Sequence, residues 1–463
     1  MDASITSIRR RTSAFRRLTD TYLHTRQSTM VNSAYRPGRA WSIAFLLTGL
    51  ALVNFLDKIV LGMVAVPLMA ELKMSAADFG VLAGSFFWLF SLSGVALSFL
   101  ADRYPARWIL LVLAFSWSVL QIPLVFAHGV MTFLVCRVVL GIAEGPTIAI
   151  SMHALFKWFP NEKRSLPMAI FNQGAAVGLV LAGLLIPLVS KHWGWRTNFE
   201  LLAIVGALWC LLWLCFGREG NLGAAPSATA GVGDQTAPDA AMSRLPYRRI
   251  LTMPSVLILL LIGFAAYWSG ALILTWLPAY LQMGLGFDAV TSGRLFSGVL
   301  LLTAPYTIAL GWISDRMLAR GASSRKARVN VINAAFLLGG VLLIGLTMID
   351  MAPLAKVAVL GVATCLPTIC FTFVPAILAE LVPMVQRSSV MGIYLAVATS
   401  AGAISPVVVG RLVEHHHGIG AHGYQLGFAI GGGLLIVAAL LSACYLHPER
   451  AHRRLTLASR GVA

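Results

Sequence analysis

Four ionisable side chains, Asp57, Lys58, Arg137 and Glu144, fall inside stretches of sequence that are otherwise apolar. A charge in hydrocarbon is costly unless it meets a partner or a wet cavity, so such residues mark a route for an ion or a charged substrate. Asn54, Asp57 and Lys58 lie at i, i+3 and i+4, which puts all three on one stripe of a helix near its middle. Arg137 and Glu144 share a face of another helix, with Gly141 between them leaving room for a neighbouring helix or for water. Two kinds of chemistry follow. An organic anion entering a low-dielectric cavity needs a compensating cation, and Lys58, with Asn54 beside it, is the best placed. A carboxylate that alternates between a dry site and a cation can take up and release a proton, which makes Asp57 and Glu144 the candidate proton carriers. Arg137 would release Glu144 by changing partners as the protein rocks. The competing structural role is a static, neutralised quartet that ties the two helices together.

Such residues need elements that hold them in a nearly dry interior, and the composition supplies these. Of 463 residues, 58% are hydrophobic and 11% charged, with mean hydropathy +0.81, which excludes a soluble domain. Apolar stretches lie near residues 41–70, 78–100, 108–127, 130–155, 166–190, 197–216, 255–283, 293–314, 329–349, 354–379, 388–412 and 424–446. Each is long enough to cross a hydrocarbon core of ~30 Å at about 1.5 Å per residue. They lack the alternation of outer-membrane strands, so they are helices whose backbone groups bond within the segment. The expected fold is an all-α integral membrane protein with twelve transmembrane helices.

The formal net charge of +17 would suit a nucleic-acid binder, but its distribution argues otherwise. With both termini on one side, most of the 35 Lys and Arg residues fall on that side. The positive-inside rule then puts both termini in the cytoplasm, with the chain a multi-pass protein of the cell inner membrane. The polar, Arg-rich residues 1–39 have no short apolar core with a cleavage site, so they read as a disordered basic tail, with Met30 as an alternative start, and not as a signal peptide.

Residues 217–252 form the long polar break, rich in Ala, Gly, Pro, Ser and Thr, and read as a cytoplasmic linker. It divides the chain into six-helix bundles over 40–216 and 253–448, followed by a tail over 449–463. A signature recurs at matching places, Ser98-Phe-Leu-Ala-Asp102-Arg103 after the second helix and Gly311-Trp-Ile-Ser-Asp315-Arg316 after the eighth. Two copies at one topological position imply an internal duplication and hence a pseudo-two-fold axis.

On these repeats the chain resembles the major facilitator superfamily, whose hallmark is a Gly-x-x-x-Asp-Arg loop between helices two and three, echoed between eight and nine. Ser98 stands in place of the first glycine, and Pro105 and Leu318 in place of the later one, while the Asp-Arg core is kept. Asp102, Arg103, Asp315 and Arg316 are therefore expected to gate, latching the two bundles on the cytoplasmic side. Within that superfamily the chain is similar to the anion:cation symporter family. The similarity rests on Asn54-Phe-Leu-Asp57-Lys58, with Lys where Arg is usual, and on Arg137-Val-Val-Leu-Gly141-Ile-Ala-Glu144-Gly145-Pro146. Trp158-Phe-Pro160-Asn-Glu162-Lys-Arg164 and Trp276-Leu-Pro278-Ala-Tyr280-Leu follow in the same order. The resemblance implies a secondary active transporter that imports a small organic anion by proton symport with alternating access. Sodium is the alternative coupling ion.

Sugar-acid carriers of that family place a tyrosine on helix two, a glutamine on helix five and an asparagine on helix eleven against the polyol. The matching positions here hold Phe90, Ala175 and Leu395. Without those groups, buried hydroxyls would go unpaired, so an aromatic or short carboxylate, or a sulfonate, is the expected cargo. Asn172, Gln173, Tyr394 and Thr399 supply other polar groups, and Trp276 and Tyr280 join the candidate lining, with Trp88 and Trp268 also able to stack a ring. The alternatives are a sugar-acid symporter or a proton-coupled exporter, although helix five lacks the Gly-Pro pair of the latter. The six cysteines sit in apolar spans without metal spacing, and His415, His416, His417 and His422 read as a solvated loop cluster, so no metal is expected. No phosphate-binding loop is present, which excludes ATP as the driving force, and neither a cofactor nor enzymatic activity is expected of a chain that works as a monomer in the bilayer.

Overall fold

The computed structural model describes residues 36–98, 103–160, 163–220, 246–383, 386–416 and 420–451. Asp102, Glu162, His417 and most of the expected linker lie outside them. Twelve helices are long and apolar enough to span a membrane. In chain order they are α1 (Pro37–Met63), α2 (Ala76–Leu97), α3 (Ala106–Phe126), α4 (Val130–Phe156), α5 (Leu166–Trp193) and α6 (Thr197–Phe216). The second set is α7 (Pro254–Thr275), α8 (Ala289–Ala319), α9 (Arg325–Met348), α10 (Pro353–Leu381), α11 (Ser389–His415) and α12 (His422–Tyr445).

The interruptions in these helices have chemical causes. The first expected span, 41–70, is α1 and a second helix, Ala65–Leu72, after a break at Val64, and it stops where Lys73 turns left-handed at φ 51°. Pro146 breaks α4 into Val130–Glu144 and Thr147–Phe156, because proline has no N–H to give the ladder. Pro367 tightens α10 into a 3₁₀ turn over Leu366–Ile369. Within the stretch expected to be an unstructured linker, Tyr247–Leu251 forms a short helix leading into α7.

Packing divides the helices into two bundles. In the first, α1 lies against α5 and α6, α2 against α4, and α3 against α4 and α6. In the second, α7 lies against α11 and α12, and α9 against α10 and α12. The bundles meet through α2 with α11, α5 with α8, and α1 with α7. Exchanging the halves turns the first pair into the second and leaves the third unchanged, as pseudo-two-fold symmetry requires. These contacts are tightest at the end of the molecule where α1 finishes. A Cβ on Gly62 would stand 2.1 Å from the Leu274 carbonyl oxygen, and one on Gly293 would stand 2.0 Å from that of Gly183. At the same end Glu414 accepts hydrogen bonds across the bundles from the Ser75 hydroxyl and the Ala77 N–H, both at 3.2 Å.

Toward the opposite end the helices are less buried. The final segment of α8, Thr303–Ala319, buries Ser314 alone, and Leu92 on α2 and Leu395 on α11 are exposed. Asp315 and Arg316 lie on this exposed stretch, and the Arg316 guanidinium stacks over Trp312 of its own helix at 4.4 Å. Among the described residues each salt bridge stays within one bundle, and Asp102, the other acidic member of the expected latch, lies outside those residues.

The sealed end of the first bundle is pinned by Arg196, which donates to the Val125 and Ala127 carbonyl oxygens at 3.0 and 2.8 Å and pairs with Glu71. Glu71 also accepts from the Trp195 indole at 2.7 Å, and these two donors hold its carboxyl below the usual carboxylate range. A depressed folded-state value stabilises the protein above the unfolded carboxyl range and loses that contribution as pH falls. Glu71→Gln is expected to lower the thermal midpoint at pH 7 by the equivalent of under about 1 kcal/mol, since the carboxyl is partly exposed. The deficit should shrink at acid pH when both proteins are melted in detergent across the pH range.

Candidate functional site

Each ionisable residue is positioned by the backbone around it. Asn54, Asp57 and Lys58 share one stripe of α1, and Glu144 is the last residue of α4 before the Gly145–Pro146 break. Gly141 lets α2 come against that segment, because a Cβ there would stand 2.0 Å from the Phe86 carbonyl oxygen. The result is a close three-helix corner of α1, α2 and α4 in which side chains from α1 and α4 meet.

The polar contacts form one network. Asn54 Nδ2 donates to Glu144 Oε2 at 2.9 Å, while its Oδ1 accepts from Lys58 Nζ at 2.8 Å. Lys58 Nζ also stands 3.7 Å from Glu144 Oε2, so Asn54 bridges the ion pair on both sides. The Asp57 and Glu144 carboxyls act on each other electrostatically across the same network. Asp57 Oδ1 and Glu144 Oε1 have no protein donor. Burial is nearly complete, with relative exposures of 3% for Asp57, 4% for Arg137 and 0% for Glu144. Arg137 places its guanidinium over the Phe86 ring at 4.7 Å and faces both carboxylates electrostatically. In a medium this dry the network binds strongly when complete and is costly when a member is missing.

The structure adds residues to which the sequence reading gave no role. Gln121 on α3 donates to Asp57 Oδ2 at 2.7 Å, and it is legible in hindsight as an amide in the middle of an apolar span. The Lys58 ammonium lies over Phe55 at 4.5 Å and over Phe90 at 5.0 Å, a cation–π cradle. From Phe90 an aromatic row continues through Phe87 to Tyr267 on α7 at 5.8 Å and then to Phe371 on α10 at 6.3 Å. The second bundle thus extends, through Tyr267 and Phe371, the row of rings that begins at Phe90. Phe55, Tyr267 and Phe371 carry no sequence signal because apolar rings fill every span.

Other expected residues sit elsewhere. Trp276 is fully buried at the sealed end and donates to the Pro406 carbonyl oxygen at 3.0 Å, edge-on to Phe79. Tyr280 is buried beside Gln425, and Tyr394 is buried against Gly263. These three rings pack between helices and do not line the space beside Lys58. Thr399 touches the Ser91 hydroxyl across the bundles. Asn172 and Gln173 on α5 are exposed, and Ala175 is half-buried. Trp88 is exposed, and Trp268 is buried against Gly431. All six cysteines are free. The rings of His415, His416 and His422 stack edgewise, and among the described residues no group of three or more metal-binding side chains forms.

Comparisons with known proteins fit this architecture. The chain is 27% identical to the chloroplastic ascorbate transporter of Arabidopsis thaliana over 65% of its own length, but spans only 56% of that relative. It is 25% identical to the hexuronate transporter of Bacillus subtilis, covering 86% of this chain and 92% of the relative. It is 27% identical to a probable sulfoacetate transporter of Cupriavidus necator, covering 84% and 90%. Among solved structures, a bacterial homologue of the human lysosomal transporter Spinster, inward-facing and occupied, superposes with TM-score 0.73 over 91% of this chain and 98% of that one, at 18% identity. The model of the Major Facilitator Superfamily matches residues 46–375. The chain therefore belongs to the Major Facilitator Superfamily, as a membrane transporter and not an enzyme.

Proposed function

We propose that the chain imports a small organic anion together with protons, with Lys58 receiving the anion and Glu144 and Asp57 carrying the protons. The carrying observation is the Lys58–Asn54–Glu144 bridge, because the cation that an anion needs is occupied by a carboxylate. A proton taken up at Glu144 removes that competitor and frees Lys58. An anion then binds where Glu144 was paired, so proton and anion enter together and neither enters alone at low cost. Two negative charges on the neighbouring Asp57 and Glu144 carboxyls would repel each other, so the pair suits one ionised and one protonated member. Arg137 stabilises whichever carboxylate is ionised. Rocking of the bundles about the α2–α11 and α5–α8 contacts would expose the site to each side in turn. The positive-inside distribution supports a protein held in the cell inner membrane with both termini in the cytoplasm.

The cradle of Phe55 and Phe90 around Lys58, with Tyr267 and Phe371 opposite, favours an aromatic or short carboxylate, or a sulfonate. The sulfoacetate relative points the same way. A sugar acid is the second choice, favoured by the hexuronate relative, but the site offers its hydroxyls few partners.

Uptake of labelled sulfoacetate, benzoate and glucuronate into proteoliposomes, with proton, sodium and voltage gradients imposed separately, decides cargo and coupling ion together. Proton-driven accumulation of sulfoacetate or benzoate in preference to glucuronate is expected, and the reverse order would refute the substrate class. Lys58→Ala is expected to weaken binding of the accumulated anion by at least about tenfold, the loss of a buried charge partner. Asp57→Asn and Glu144→Gln should abolish accumulation while exchange persists; uptake in both with the wild-type pH dependence would remove the carboxylates from the coupling. Gly293→Val, whose side chain would strike the Gly183 carbonyl oxygen, should cut transport by about tenfold or more. Gly298→Val meets open space and should transport normally, and equal activity of the two would show that the α5–α8 seal is dispensable.

A further inference from the structure

A second polar site lies behind Asp57, inside the first bundle. A small cavity bounded by α1, α3 and α6 is lined by Asp57, Trp117, Ser118, Gln121, Gly206 and Trp209. No helix of the second bundle contributes to it, and Asp57 is its one charged lining residue. Its polar groups can be accounted for one by one. The Trp209 indole donates to the Leu46 carbonyl oxygen at 2.8 Å, and the Ser118 hydroxyl donates to that of Ala114 at 2.7 Å. Gln121 Nε2 donates to Asp57 Oδ2. Three atoms are left without a protein partner, the Trp117 Nε1–H donor and the Gln121 Oε1 and Asp57 Oδ1 acceptors, on residues that are 4%, 1% and 3% exposed.

We propose that this cavity binds one structural water, which accepts from Trp117 Nε1 and donates to Gln121 Oε1 and to the Asp57 carboxylate, making Gln121 and Trp117 positioning residues for a proton carrier. The inventory matches water, which has two hydrogens for two acceptors and a lone pair for the one donor. A buried water making three such bonds relieves polar groups that are otherwise costly to leave unpaired. A sodium ion does not fit, because the indole N–H presents hydrogen where a cation needs oxygen. The surroundings allow about one water, with room of about 10 Å³ for its centre.

The consequence concerns Asp57, and it rests on the proposal that Asp57 carries a proton. Gln121 holds one carboxylate oxygen and the water is shared between them, so the carboxyl keeps a fixed orientation whether or not an anion occupies the space beside Lys58. When the proton leaves, the water and the amide hydrate the charge from the side away from the transport route. Asp57 is then reloaded without rearranging the substrate side.

Infrared difference spectroscopy on the purified full-length protein, acidified from neutral pH without any anion, tests this directly. A protonated-carboxyl stretch missing in Asp57→Asn identifies the Asp57 band. In the wild type an O–H stretch sensitive to H₂¹⁸O is expected to accompany it. Trp117→Phe, which keeps the ring and removes the donor, should lose that water band and shift the Asp57 carboxyl stretch upward in frequency; Gln121→Leu should do the same. An Asp57 band with no H₂¹⁸O-sensitive partner in the wild type, or one unmoved by Trp117→Phe, overturns the water site while leaving Asp57 a proton carrier. Absence of any band that depends on Asp57 overturns both.

Discussion

Glu144 and Lys58 meet 3.7 Å apart with their side chains almost wholly buried, and neither tolerates that position without the other. Removing one member of a buried pair typically costs ~3–5 kcal/mol, whereas replacing both with apolar side chains often costs little. A pair that served packing alone would therefore be easy to dispense with. Its geometry suggests use instead: Asn54 grips both partners, and Asp57 and Arg137 stand close enough to compensate when either changes charge. The network is stable as a whole and unstable in parts, which is the property a coupled carrier needs.

The helices bring that network together. Gly141 and the Gly145–Pro146 break set Glu144 at the end of a helical segment packed against α2. The cross-bundle pairs α2–α11 and α5–α8 are symmetric partners, and their glycine contacts close one end while the final segment of α8 is exposed at the other. The buried charged residues of the site all belong to the first bundle, and under the proposed function the compensation of an incoming anion falls on it. The asymmetry between the halves is chemical, and the symmetry between them is mechanical.

Much of this was legible in the sequence, for identifiable reasons. Twelve spans follow from hydrophobic length, and the pairing of α1 with α4 follows from charges that cannot remain apart in lipid. Positions along a span were harder to read, since every face of these helices is apolar. Trp276, Tyr280 and Tyr394 look like lining residues by type, yet pack between helices at depths that hydropathy does not reveal. Gln121 escaped notice because α3 carries no charge in mid-span to draw attention to it, although an amide buried there needs a partner as surely as a carboxylate does. The Asp315–Arg316 copy of the loop motif was found by repetition, but whether it latches depends on the conformation, which a sequence does not specify.

The central claim is that binding the anion requires a proton at the carboxylate which otherwise holds Lys58. Calorimetric titration of the accumulated anion into purified protein, repeated in buffers of different ionisation enthalpy, counts the protons taken up on binding. About one proton per anion is expected in the wild type and none in Glu144→Gln, with that variant binding the anion independently of pH. Wild-type binding with no proton uptake, or uptake undiminished in Glu144→Gln, would contradict the account.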